Sequence, residues 1–169
     1  MRADVVPWLL VLALAAAAAV ATLLLVGRLP AAGTLAVVAV GASTLGGMWA
    51  REAGAPRLVF ADHAVERLVE AGLFGGVAWW AVPESPSIAA AALAALVTSY
   101  LASYLTAKAT GLRFRVRERL PFRSVRPLVA ALGLLIPSLL LPALLAAVVV
   151  SLEPVVRHGV SVARQREPA

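Results

Sequence analysis

The chain has no cysteine among its 169 residues, which excludes disulfides, thiolate metal centres and cysteine nucleophiles. Histidine is nearly absent, with only His63 and His158, too few for a histidine-rich metal site. Charged residues make up only 14% of the chain, and acids are the scarcer kind, 9 Asp and Glu against 15 Lys and Arg. Apolar residues fill the remainder: 62% of the chain is hydrophobic and the mean hydropathy is +0.91. A soluble globular chain is about half apolar, so the expected solvent is lipid. The length suits a single domain. A net charge of +6 invites a polyanionic partner, but the placement of the cations argues against nucleic acid.

Long uncharged runs predict an all-α integral membrane protein, one domain over residues 1–169 with six transmembrane helices. About 20 helical residues cross the roughly 30 Å hydrocarbon core. The expected spans are residues 5–26, 31–50, 62–82, 87–108, 124–137 and 142–160, with a basic cytoplasmic loop over 109–123. Gly54 and Pro56 mark a polar connector between the second and third. The fifth span is short, so it is expected to start in the basic loop and to be shielded by neighbouring helices. Pro137 and Pro142 leave a second option, one kinked span in place of the last two. Positive charge favours six. With both termini cytoplasmic, every one of the 15 Lys and Arg except Arg28 falls on the cytoplasmic side. Five spans would put Arg157, Arg164 and Arg166 outside. The reading is thus a multi-pass protein of the plasma (inner) membrane. Topology accounts for the basic run Arg113 to Arg119, and contact with an anionic leaflet is a second use for it.

Asp62, Glu66 and Glu70 are spaced i, i+4, i+8 and share one helix face. Two readings compete. In one they form a solvated helix start, favoured by the macrodipole and neutralised by Arg51 and Arg67. In the other they hold a hard cation, since carboxylate oxygens with phosphate oxygens suit Mg²⁺ or Mn²⁺. Just before them, Ala42 with Gly46 and Ser43 with Gly47 form small-xxx-small pairs, which let helices approach closely.

These residues together resemble the signature of the CDP-alcohol phosphatidyltransferase family, D-x-x-D-G-x-x-A-R followed by G-x-x-x-D-x-x-x-D. Gly47, Ala50 and Arg51 match the G-x-x-A-R half. Asp62 matches the third Asp, and Glu66 stands at the fourth. Ser43 and Gly46 occupy the first two Asp positions, and Leu58 the second glycine. The similarity runs on in order. The stretch from Asp62 to Trp80, the run Val97 to Tyr104, Thr106-Ala107-Lys108, Arg123-x-x-Arg126 and Val155-Val156-Arg157 resemble the actinobacterial phosphatidylinositol-phosphate synthase branch.

The resemblance implies a six-helix bundle and phosphatidyl transfer from CDP-diacylglycerol to a polar alcohol of inositol-phosphate type. It implies a divalent cofactor, Mg²⁺ or Mn²⁺, if the chain is active. Asp62 and Glu66 would be metal ligands, with Glu66 also the catalytic base. Gly47, Ala50 and Arg51 would serve the nucleotide. Lys108, Arg123, Arg126 and Arg157 would meet the acceptor phosphate or a lipid headgroup; for Arg157, a pair with Glu153 one turn away explains the residue equally well. With Ser43 and Gly46 at lost ligand positions, two-metal catalysis is expected to be impaired or lost. The alternatives are an active transferase with a rearranged or one-metal site, and an unrelated small channel or transporter subunit. Membrane lipids are the expected partners, and the Ala- and Gly-rich helices permit a homodimer.

Overall fold

The computed structural model describes residues 2–114 and 121–165, with side chains from 4–114 and 124–165. Every regular element among them is helical: α1 (Arg2–Leu25), α2 (Leu29–Glu52), α3 (Pro56–Glu70), α4 (Gly76–Glu84), α5 (Pro86–Gly111), α6 (Pro121–Leu135) and α7 (Leu140–Arg164). A π-turn, Ala71–Gly75, carries α3 into α4 without a break, and a 3₁₀ turn, Pro137–Leu139, joins α6 to α7. Local chemistry sets the corners. Pro30, Pro56 and Pro86 sit in the first turns of α2, α3 and α5, where a missing N–H costs nothing and the fixed φ suits a helix. Gly27 and Gly54 hold positive φ, 73° and 61°, in the turns before α2 and α3; an L side chain there would be strained.

Two expectations need correction. The connector expected over residues 51–61 shrinks to 53–55, because Pro56 starts the helix directly. Asp62, Glu66 and Glu70 therefore lie inside α3, and its first turn has no acid. Nor are they all wet: Asp62 is 4% exposed and Glu70 is 0% exposed. A macrodipole fades within the first turn, so it does not explain them.

Helix α2 is the central rod, packed on α1, α3 and α6, while α7 packs on α5 and α6. One buried cluster, around Leu24, Phe74, Val77, Leu134 and Leu140, fills one end of the bundle. A second, around Val6, Leu10, Val40, Val65 and Val69, fills the other. Much of both cores is alanine, so backbones come close. Four helical stretches are long and apolar enough to cross a membrane: Asp4–Leu25, Leu29–Glu52, Pro86–Gly111 and Pro137–Arg164. Ser124–Leu135 is apolar but shorter. Large apolar side chains such as Trp8, Trp79 and Val149 point outward, as lipid-facing residues do.

A close helix approach is at Gly33, where a Cβ would stand 2.8 Å from the Ala131 carbonyl and 2.9 Å from the Leu134 Cβ. Backbone cannot yield as a flexible side chain can. Gly33→Ala is therefore expected to push α6 from α2 and cost about 1–3 kcal/mol, read as a lower Tm in detergent, whereas Gly41→Ala, with nothing within 4 Å of its Cβ, leaves Tm unchanged.

Candidate functional site

Helices α2, α3 and α6 enclose a cavity of about 490 Å³. Ser43, Thr44 and Arg51 reach it from α2, Asp62 and Glu66 from α3, and Ser124 from α6; Val40, Met48, Val69, Val125, Pro127 and Leu128 make its walls apolar. The spacing of Ser43, Thr44 and Arg51 places them along one side of α2, and the i, i+4 pair in α3 faces them. Thr44 donates to the Val40 carbonyl at 2.7 Å, so the 2.8 Å contact with Ser124 has Ser124 as donor. That hydroxyl pair links α2 to α6 at the cavity wall.

Asp62 is the centre of the arrangement. Its carboxylate rests against the bare Cα of Gly47, in space that any Cβ would claim. Ser43 donates to Oδ1 at 3.4 Å, and Arg51 Nη1 stands 3.7 Å from Oδ2. Gly47, expected to serve the nucleotide, thus gives its open space to Asp62. Ala50 is fully buried in the core at this end and does not line the cavity. Gly46 does not line it either: a Cβ there points at α1, 3.3 Å from Leu10 Cδ2 and 3.6 Å from Leu9 Cβ.

A buried polar network lies behind the cavity. Arg67 pairs with Glu66 at 3.2 Å and with Glu70 at 2.6 Å. Ser99 on α5 donates to Glu70 Oε2 and accepts from Arg67 at 3.0 Å and from Arg126 at 3.1 Å. One hydroxyl thereby uses its proton and both lone pairs. Tyr100 donates to the Arg67 carbonyl at 2.9 Å, and its ring centroid lies 5.6 Å from the guanidinium, within cation–π range. Sequence reasoning missed Ser99 and Thr44; the signal available was a hydroxyl on a membrane helix, which needs a partner.

Of the expected acceptor-phosphate cations, the three with described side chains, Lys108, Arg126 and Arg157, are not among the residues lining the cavity. Arg126 is 4% exposed, bound to Ser99. Arg157 pairs with Glu153 at 2.9 Å, the structural alternative read from their spacing. Lys108 is exposed on the last turn of α5. The Arg123 side chain and residues 115–120 of the basic loop lie outside the described residues.

The residues present do not fit a carboxylate-held metal pair. Among the described residues no group of three or more His, Cys, Asp or Glu is placed to hold a metal ion. Asp62 and Glu66 are the carboxylates at the cavity wall, and both engage arginines.

An all-helical membrane protein with a cavity of apolar walls and a few charged and hydroxyl groups at one end of its bundle is the class that fold and site define. No family model matches the chain. It is 37% identical over 121 residues to the phosphatidylinositol phosphate synthase of Mycolicibacterium smegmatis, a match covering 67% of this chain and 54% of that protein. The chain thus spans about half the length of the curated relative it matches. Two crystal structures of the Mycobacterium tuberculosis phosphatidylinositol phosphate synthase share its fold. The complex with manganese and citrate gives a TM-score of 0.71 at 24% identity, covering 98% of this chain and 84% of that one. The structure with CDP-DAG bound gives 0.71 at 25% identity, covering 98% and 88%. The chain belongs to the CDP-alcohol phosphatidyltransferase family. That relationship sets aside the reading as an unrelated channel or transporter subunit.

Ser43 and Gly46, three residues apart on α2, have different surroundings. Ser43→Asp places its carboxylate in the cavity and is expected to fold with a Tm near that of the parent. Gly46→Asp drives a carboxylate into Leu9 and Leu10 and should cost more than the ~1–3 kcal/mol of simple overpacking. Paired melts of the two variants check this. For the network, Ser99→Ala leaves Glu70 and two guanidiniums each short of a bond, an expected loss of about 1–3 kcal/mol, measured by denaturation in detergent against Ser103→Ala. Ser103 only donates to the Ser99 carbonyl in its own helix.

Proposed function

We propose that the cavity is a CDP-lipid site in a membrane protein of phospholipid metabolism whose two-metal phosphatidyl transfer is impaired or lost. One observation carries this reading. The two carboxylates at the cavity wall, Asp62 and Glu66, are engaged by Arg51 and Arg67, and the two further signature positions hold Ser43 and Gly46. Neither can supply an anionic ligand. The cavity otherwise suits such a lipid: Arg51 can meet a phosphate, the hydroxyls of Ser43, Thr44 and Ser124 can bond a polar head, and the apolar wall can take the start of an acyl chain. The relative of known structure that was solved with CDP-DAG supports the ligand class.

In the same proposal, residues 1–169 form one domain of six spans in the inner membrane, with both termini cytoplasmic. The short α6 is shielded by α2 and α7, on which it packs. The cavity then opens near the cytoplasmic ends of α2, α3 and α6, the side where the basic residues gather. A polar alcohol of inositol-phosphate type would be the acceptor in an active relative. A homodimer is compatible with the small-residue helix faces.

A second reading, an active transferase with a rearranged site, draws on Asp62 and Glu66 facing one cavity. CMP release from CDP-diacylglycerol separates the two, assayed on purified protein with Mn²⁺ and candidate alcohols. The expected outcome is retention of CDP-diacylglycerol in a vesicle-binding assay with CMP release at background. CMP release that Asp62→Asn abolishes would establish the second reading and end the first.

A further inference from the structure

Three carboxylates and three guanidiniums cluster at this end of the bundle, Asp62, Glu66 and Glu70 with Arg51, Arg67 and Arg126. The contacts are specific: Arg51 with Asp62 at 3.7 Å, Arg67 with Glu66 at 3.2 Å and with Glu70 at 2.6 Å. Arg126 joins through Ser99, 3.1 Å away, which in turn donates to Glu70. Glu70 is outside the signature that Asp62 and Glu66 resemble, yet it is the most buried of the three acids at 0% exposure.

We propose that these guanidiniums take the charge role of divalent cations in this chain, so that the cavity receives a phosphate-bearing lipid without a metal ion. Buried carboxylates must be paired or bound to metal, and here pairing meets the demand. A divalent ion beside Asp62 would have to displace Arg51 or sit against it, bringing positive charge to a carboxylate that already faces a guanidinium. Among the charged groups of the set, Arg51 is the cation that lines the cavity; its side chain is 32% exposed and it is free to swing from Asp62 to an incoming phosphate. The deeper set, anchored on Ser99, stays in place when it does. Only the identity of the ligand rests on the CDP-lipid reading; the exclusion of the ion rests on the arginine contacts.

The test uses the purified full chain in detergent with Mn²⁺ alone, following the free-ion electron paramagnetic resonance signal. The wild type is expected to leave that signal undepleted and to melt at the same Tm in Mn²⁺ and in EDTA. The double variant Ser43→Asp/Arg51→Gln removes the guanidinium and adds a carboxylate next to Asp62; it is expected to take up Mn²⁺ stoichiometrically. Uptake by the wild type that Asp62→Asn abolishes overturns the proposal, as does a folded double variant that takes up none. If the double variant does not fold, Arg51→Gln alone reads the same point: a Tm raised by Mn²⁺ supports the proposal, and an unchanged Tm overturns it. Wild-type Mn²⁺ uptake without CMP release would sink this inference and leave the functional reading standing. Failure to retain CDP-diacylglycerol would sink that reading alone.

Discussion

A carboxylate inside an apolar helical bundle has to be neutralised where it stands. The effective cost of burying an ion is several kcal/mol even after relaxation, and this chain buries Asp62 and Glu70 almost completely. The arrangement around the cavity follows from that demand. Gly47 has no side chain, so the Asp62 carboxylate can lie against α2. Arg51, one helical turn further along α2, can then reach it. Glu70 draws in Arg67 from its own helix, Ser99 from α5 and, through Ser99, Arg126 from α6. The same contacts tie α2, α3, α5 and α6 together at this end of the bundle.

The two positions where the resemblance expects aspartates, Ser43 and Gly46, stand in different surroundings. Ser43 faces the cavity and donates to Asp62. Gly46 lies in the packing of α1 on α2, with Leu9 and Leu10 over it. One belongs to the cavity wall and the other to a helix interface. A relative of known structure carries manganese; this chain has guanidiniums against the carboxylates that line its cavity.

Much of the architecture was legible in the residues. The apolar runs, the prolines at helix starts and the glycines in two turns indicate the helical rods with their order and approximate limits. The signature remnants brought Ser43, Arg51, Asp62 and Glu66 into one expected site, and they line one cavity. The start of α3 was misplaced because Gly54 and Pro56 read as loop breakers, whereas a proline in the first turn begins a helix as readily as it ends one. Arg126 was expected at the acceptor site; its engagement with Ser99 depends on a partner 27 residues away on another helix.

The sequence by itself determined the solvent, the helices, the family and the chemical groups available at each signature position. Those are properties of composition and local spacing. Only the tertiary structure decided which guanidinium meets which carboxylate, that Gly46 belongs to a helix interface, and that Ser99 is the hub between α3, α5 and α6. Each of these depends on how far helices are rotated about their axes and how closely they approach, which no spacing within a single helix encodes.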